Sequence, residues 1–341
     1  MRKRRQIRFM IINRETITIT LSAVVVAVTF FLLPGRNLQE GIGGLYDAVP
    51  AATMVTQNLK NELAKVQRDY NVPPSDAKFD RWWKLIPGVN GVQLNIDKTL
   101  LHATADPATT MLYFKQIPAR ITASSFGAAP IYRGNEQKQQ MALMFNVAWG
   151  TEYVPQILRI LQDNHVRATF FLDGSWTAKN PEIARQIAQA GMEIGNHAYN
   201  HPLMSRISRQ RMISQITRTN QTIFQATKVQ PQLFAPPAGD YNQLVVDVAA
   251  GLKMQTILWT LDTVDWKKPS PSVILSRIVS KKTPGALVLM HPTKPTVQAL
   301  STMIRELQQA HFQLVTVSEL LSPVRPTPKT LQDALRAKGH S

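Results

Sequence analysis

Apolar and polar positions follow several different rhythms along this chain. Ile17 to Leu33 contains no charged residue. At about 1.5 Å per residue such a run reaches roughly 25 Å, the short end of a bilayer crossing. Pro34-Gly35-Arg36 closes it. Leu59, Leu63 and Val66 then recur at helical spacing among Lys, Glu, Gln and Asn, which predicts a helix that Val72-Pro73-Pro74 stops. Val92, Leu94 and Ile96 alternate as in a strand, and Met111–Ile117 is a second candidate strand. Ile131–Gln140 reads as a polar linker. From Met141 onward short apolar runs alternate with amphipathic helical patterns. The runs are Met141–Phe145, Ala168–Leu172, Met192–Ile194, Gln232–Phe234, Met254–Trp259, Ala286–Met290 and Gln313–Val315. The helical patterns include Val154–Asn164, Ile183–Ala190, Ser208–Thr227 and Thr296–Ala310. This alternation predicts βα units on a mostly parallel sheet, an α/β barrel slightly short of the eight-stranded form. The organisation expected is a basic flank and membrane span at 1–35, a stalk helix at 36–74, a small α+β module at 75–130, the βα domain at 131–321 and a basic tail at 322–341.

Charge sharpens the reading of the amino terminus. Arg2, Lys3, Arg4, Arg5, Arg8 and Arg14 precede the uncharged run, and no acid lies among them. A basic flank is held on the cytoplasmic side, which sends the remainder of the chain outside the cell. No small-x-small cleavage site closely follows the run, so an uncleaved signal-anchor is expected rather than a removed signal peptide. The net charge of the chain is +17. The flank accounts for six of these charges, and Arg325, Lys329, Arg336 and Lys338 against Asp333 add three in the tail. The rest faces anionic wall polymers more readily than nucleic acid, for which the chain carries no recognised binding motif. Cysteine is absent, which excludes disulfides, thiolate metal sites and a Cys nucleophile.

The ends of the apolar runs carry the chemistry. In barrels of this kind the active site forms where strands give way to loops. Asn146-Val147-Ala148-Trp149-Gly150 follows the first run and Asp173 the second. Gly195-Asn196-His197-Ala198-Tyr199-Asn200-His201-Pro202 follows the third, and Ala235-Pro236-Pro237-Ala238-Gly239-Asp240-Tyr241 the fourth. The fifth leads into Asp262-Thr263-Val264-Asp265-Trp266, and the sixth ends at His291-Pro292. An HxxxH pair facing a third His from another strand end is a candidate metal site, and imidazole suits zinc in a chain without Cys. Trp149, Trp176 and Trp266 are placed to stack on pyranose rings, whereas Trp259 reads as core. Asp173 and Asp240 read as turn or cap residues with a second possible use near the site. Trp82-Trp83 reads as core, with sugar stacking as the alternative.

In this order the motifs from about Met141 to Leu321 resemble those of the polysaccharide deacetylases, the NodB-homology group of carbohydrate esterase family 4. Asp80-Arg81-Trp82-Trp83-Lys84-Leu85-Ile86-Pro87-Gly88 and Pro130-Ile131-Tyr132-Arg133-Gly134 are similar to the sporulation-associated YlxY-type branch. The resemblance implies a distorted (β/α)7 barrel and metal-dependent removal of acetyl from N-acetylated cell-wall glycan, peptidoglycan or a chitin-like polymer. A divalent metal, usually zinc, would activate water and polarise the acetyl carbonyl. The metal-binding His pair then maps onto His197 and His201. The acid that protonates the leaving amine maps onto His291, its supporting carboxylate onto Asp262 or Asp265, and the oxyanion-binding amide near Ala238. Trp149 and Trp266 would line the glycan.

The departures fall on one subassembly. The family reads Thr-Phe-Asp-Asp-Gly where this chain reads Met144-Phe145-Asn146-Val147-Ala148. Asn146 occupies the base position, and an amide does not accept a proton at neutral pH. Val147, or Ala148 with a one-residue slip, occupies the metal carboxylate position. Ala235 stands where an Arg orients the base. The expectation is therefore a membrane-anchored, extracellular glycan-binding protein with lost or strongly reduced turnover and weak or absent metal. The alternative is an active glycan N-deacetylase with an unorthodox site.

Overall fold

The computed structural model describes residues 57–104 and 106–339. The basic flank, the uncharged run Ile17–Leu33 and the first part of the expected stalk lie outside the described residues. Among the described residues no helix is long and apolar enough to cross a membrane.

The chain gathers into two compact units, and they cut across the expected boundaries. One holds the described residues up to Asp69 together with Ile96–Met111 and the residues from Thr330 onward. Its first helix buries Leu63 and Val66, the predicted stripe. Ile96, read as the last residue of a strand, instead opens the helix Ile96–Leu101. The expected basic tail contains the helix Leu331–Ala337. Thr330 and Asp333 close it with a reciprocal capping box, and Leu331 and Ala334 are buried. Hydrogen bonds from Leu331 N to Thr110 O (2.9 Å) and from Gln332 N to Pro107 O (3.1 Å) fix its start. The segment expected as one module at 75–130 is thus divided between the two units.

The other unit holds Tyr70–Asn95 and Leu112–Lys329. It begins with two antiparallel pairs. Strand β1 (Lys78–Asp80) pairs with β2 (Lys84–Ile86), and β3 (Gly91–Leu94) with β4 (Phe114–Ile117). Eight parallel strands follow: β5 (Gln140–Val147), β6 (Thr169–Leu172), β7 (Glu193–Asn196), β8 (Leu233–Phe234), β9 (Gln255–Thr256), β10 (Leu261–Asp262), β11 (Leu287–Met290) and β12 (Gln313–Val315). Their order is β10-β11-β5-β6-β7-β8-β9. Strand β12 pairs with Gln140–Ala142 of β5, and β6 pairs with Met144–Val147 of the same strand. All eight residues of β5 are buried, as befits a strand covered on both faces.

Alternate residues feed two cores. Met141, Leu143, Phe145 and Val147 pack with Ile157, Leu161, Leu300 and Ile304 of the covering helices. Ala142 and Met144 face the other way, onto Phe171, Leu233, Ile257, Leu287 and Leu289 in the interior of the curled sheet. The helices Val154–Asp163, Pro181–Gln189, Arg209–Thr227 and Lys294–Gln309 fall where their periodicity predicted, and Ser208 caps the third through Arg211 N.

Two features differ from the expectation. The run Met254–Trp259 is not one strand. Its middle is taken by Ile131, whose N–H donates to Thr256 O and whose carbonyl accepts from Leu258 N (2.9 and 2.8 Å). The chain then re-enters the sheet as the additional strand β10. The same bonds make the supposed polar linker part of the wall. Ile131 is buried, Gly134 N donates to Gly285 O (2.8 Å) and Thr260 Oγ1 donates to Tyr132 O (2.7 Å).

Candidate functional site

Register brings the candidate residues to one end of the sheet. Met290 of β11 lies opposite Phe145 of β5, so His291 comes level with Asn146. Asn146 and Val147 lie opposite Phe171 and Leu172 of β6, and Leu172 lies opposite Asn196 of β7. Asp173 and His197 therefore follow on neighbouring strands, and Ala235 follows Phe234, the partner of Asn196. The local backbone is unusual here. Ala198, His201, Ala238 and Val264 all adopt positive φ between 52° and 59°. For a β-branched Val this conformation is costly, and such strain concentrates at functional loops.

His291 and Asp265 form a complete pair. His291 Nδ1 donates to Asp265 Oδ1 at 2.8 Å, and the backbone N–H of His291 donates to Oδ2 at 2.6 Å. Thr296 Oγ1 adds a third bond to Oδ2 at 2.5 Å. Asp265 is fully buried. Its acceptance of Nδ1–H leaves Nε2 as the atom through which the imidazole gives or takes a proton. Sequence reading left Asp262 and Asp265 open as partners; the contact belongs to Asp265. Asp262 Oδ1 instead accepts from Val264 N (2.7 Å) and turns the loop, and burial pushes its pKa above the ordinary carboxylate value. Thr296 had not been singled out. Its signal was available: Thr293 caps the helix that follows His291-Pro292, and Thr296 lies in its first turn.

The other two imidazoles are paired differently. His197 is buried, and its Nδ1 lies 2.7 Å from Ala235 O. A carbonyl only accepts, so Nδ1 carries the proton and Nε2 is left as a lone pair. Burial first, then the neighbouring His201 and His291, push the His197 pKa down to about 3. The His201 ring stands edge-on, with centroids 5.2 Å apart and planes at 72°, and is exposed. Asn196 and Gln215 hold the loop between them. Asn196 Oδ1 accepts from Ala198 N (2.8 Å), and Gln215 Oε1 accepts from Tyr199 N (2.9 Å).

Asn146 is 4% exposed and its Oδ1 has no hydrogen-bond partner. Val147 is wholly buried in the helix-side core, and Ala148 offers only a methyl. A hydrolytic zinc site normally takes three protein ligands. Two imidazoles are present, and among the described residues no group of three His, Cys, Asp or Glu side chains is placed to hold an ion. The residues do not fit such a metal. Asp240 does not supply the missing oxygen, since its carboxylate accepts from Ser205 N (2.7 Å) and Ser205 Oγ (2.8 Å). Asp173 caps the helix Gly174–Lys179 through Trp176 N (2.9 Å), and its Oδ1 also accepts from Ser175 Oγ (2.7 Å). Its second oxygen is buried without a partner, and burial raises its pKa.

The aromatic candidates divide. Trp149 is 44% exposed and lies parallel to the His291 ring, with centroids 5.8 Å apart and planes 6° apart. Trp266 is exposed with Lys267 Nζ 5.0 Å from its ring centre. Trp176 is not at the surface: it is buried, and its Nε1 donates to Thr151 Oγ1. Trp82, expected in the core, is 73% exposed, while Trp83 is half-buried beneath the Arg133 guanidinium. Ala238 forms the apex of the turn after β8, where Gly239 N and Asp240 N bond back to Pro236 O and Pro237 O.

A family model described as polysaccharide deacetylase matches residues 133–257. The chain is 39% identical over 300 residues to YlxY of Bacillus subtilis, described as uncharacterized; the match covers 87% of this chain and 94% of that one. It is 34% identical over 187 residues to a peptidoglycan-N-acetylglucosamine deacetylase of Bacillus cereus, covering 53% of this chain and 87% of that one. Among solved structures, BA3943 of Bacillus anthracis, described as a carbohydrate esterase family 4 pseudoenzyme, is 39% identical. It superposes with a TM-score of 0.72 over 78% of this chain and 95% of its own. A BA3943 mutant with restored enzymatic activity superposes with the same TM-score over 98% of its length. The motif order, the curled parallel sheet and these relatives agree: the chain belongs to the polysaccharide deacetylases of carbohydrate esterase family 4.

Proposed function

We propose that this chain binds N-acetylated cell-wall glycan outside the cell and that its deacetylase turnover is lost or strongly reduced. The observation that carries the reading is Asn146. It sits at the base position, buried and with its Oδ1 unpartnered, level with a complete His291–Asp265 pair. An amide there forgoes the roughly 10²–10⁴ in rate that a general base supplies. Val147, Ala148 and Ala235 remove the acidic ligand and the orienting Arg from the same subassembly. Trp149 and Trp266 supply flat exposed faces for pyranose rings. The basic flank and the uncharged run Ile17–Leu33 support membrane anchoring with the amino terminus inside. The YlxY-type motifs support a role in spore formation.

The test is acetate release by the full-length protein from N-acetylglucosamine oligomers and peptidoglycan, with Zn²⁺, Co²⁺ or Ni²⁺ added. Retention on insoluble peptidoglycan is measured alongside. Retention without acetate is the expected result. Turnover that disappears in His291→Ala would overturn the proposal in favour of an active deacetylase with an unorthodox site. Installing Asn146→Asp and Ala235→Arg together with Val147→Asp or Ala148→Asp is expected to create turnover that no single change gives, since base and metal act as one unit.

A further inference from the structure

The segment Asp80–Gly88 was singled out in the sequence, yet the site at the strand ends makes no use of it. It spans the turn and the second strand of the β1–β2 hairpin, with Arg81–Trp83 at the tip. Asp80 Oδ1 accepts from both Trp82 N and Trp83 N at 2.7 Å, and Lys84 turns the chain at φ 55°. Lys84 Nζ closes the tip on Arg81 O at 3.2 Å. The turn is therefore fixed by its own residues, and it holds Trp82 out at 73% exposure. Phe79 (54% exposed) stands beside Phe126 (36%), with ring centres 6.4 Å apart. Ile121 (42% exposed) adjoins through its carbonyl, which accepts from Ala77 N at 2.9 Å.

Trp82 at the tip, and Phe79 with Phe126 on the strand that leads into it, leave exposed apolar surface that calls for a partner. Among the described residues, the cations at the tip free of an ion pair are Arg81 and Lys84 against the carboxylate of Asp80, since Lys78 is ion-paired with Glu136 at 2.6 Å. Asp76, which accepts from Arg120 N and Ile121 N, sits below the foot of the hairpin, where Ala77 bonds to Ile121 O, and not at its tip. A sugar or small ligand asks for a concave site with convergent polar groups, and a projecting hairpin tip offers neither. Tryptophan and phenylalanine flanked by Arg and Lys are the composition that settles at a bilayer's headgroup level. We propose that this hairpin tip is a membrane-contact site that inserts Trp82 and Phe79 into the headgroup region of an anionic lipid surface, with Arg81 and Lys84 against the lipid phosphates. The proposal does not depend on whether the strand-end site turns over glycan.

All six tryptophans lie at or beyond position 82, so Trp fluorescence is blind to the uncharged run near the amino terminus. The full-length protein is reconstituted into phosphatidylcholine vesicles with and without phosphatidylglycerol, each doped with ring-quenching brominated lipid. Quenching is expected in the anionic vesicles, and most of it disappears in Trp82→Phe, a change at an exposed ring that leaves the thermal midpoint in place. A cation beside an anionic surface contributes about fivefold in partitioning, so Arg81→Gln with Lys84→Gln weakens engagement roughly 30-fold. Three results would overturn the proposal. They are the absence of quenching in wild type, equal quenching with and without anionic lipid, and quenching that survives Trp82→Phe. A Trp82-dependent spectral change with N-acetylglucosamine oligomers, without lipid quenching, would reassign the tip to glycan.

Discussion

His197 should make the fold acid-sensitive by a calculable amount. Its imidazole is buried, its Nδ1–H is committed to Ala235 O, and its pKa falls from the ordinary 6.5 to about 3. The sign follows from which state takes the proton. Above pH 6.5 both folded and unfolded chains carry a neutral ring, and the group has no effect on the equilibrium. Between 6.5 and 3 the unfolded chain binds a proton that the folded chain refuses, so stability is lost as the pH falls. Each unit within that window costs about 1.36 kcal/mol, which makes the loss about 3 kcal/mol at about pH 4.5. His197→Asn keeps an N–H near the Nδ1 position and removes the titration. Urea unfolding of both proteins at neutral pH and at about pH 4.5 isolates the term. The buried carboxyls Asp173 and Asp262 have raised values and act in the opposite direction, but they are common to both proteins and cancel. The wild type should lose about 3 kcal/mol more than the variant. Equal acid slopes would refute the assignment of a buried neutral imidazole at this position.

Other outcomes follow from the same geometry. Asp265→Ala leaves three donors, two on half-buried His291 and one on buried Thr296, without their acceptor and should cost about 3–5 kcal/mol in urea unfolding, with Asp265→Asn costing less. Lys138 Nζ donates to the carbonyls of Glu319, Leu320 and Ser322 at 2.7–2.9 Å; burial lowers its pKa to about 8, so it is charged at neutral pH. Lys138→Met should cost about 3 kcal/mol, read as a lowered thermal midpoint. Gly150 has φ 74°, and a Cβ there would lie 2.0 Å from Pro292 O, so Gly150→Ala should destabilise by about 2–3 kcal/mol while shifting the His291 ring resonances in an NMR spectrum. Micromolar Zn²⁺ should leave the thermal midpoint unchanged. A site filled at a hundred times its dissociation constant would add about 2.7 kcal/mol, so a clear upward shift that is lost in His201→Ala would refute the conclusion that these residues do not fit the metal.

The periodicity of the chain was enough to place the helices and most of the parallel strands, because each strand of the interior buries both faces and reads as an unbroken apolar run. It failed where pairing is set by a distant segment. Nothing near Met254–Trp259 announces that Ile131 will take its backbone bonds and split it. Ile96 continues the alternation of Val92 and Leu94, but Asn95 N bonds to Tyr113 O and the next residues turn into a helix. Trp82 reads as core by residue type, and only the turn built on Asp80 shows that it points outward. The site was legible as a set of residue types at strand ends. The choice between Asp262 and Asp265 was not, since it depends on how the loop folds at Val264.

The residues of the site divide by what else they support. Asp265 ties the loop after β10 to the start of the helix Lys294–Gln309 through His291 and Thr296, so its removal is paid for in stability whether or not any proton is transferred. His197 likewise joins the ends of β7 and β8 through Ala235 O. Their presence is explained by the fold and cannot by itself argue for turnover. Asn146 and Val147 have the opposite character. An amide in place of a carboxylate at a buried position removes a charge that would need a partner, and a valine facing Phe145's side of the sheet adds apolar contact to the helix-side core. Both changes relieve the fold of a demand that only catalysis would impose. Trp149 fits neither group. An indole that lies 44% exposed and parallel to the His291 ring adds little burial to the fold, and it leaves a flat apolar surface beside His291. The proposed binding without turnover needs the exposed ring and the folded frame but not the base.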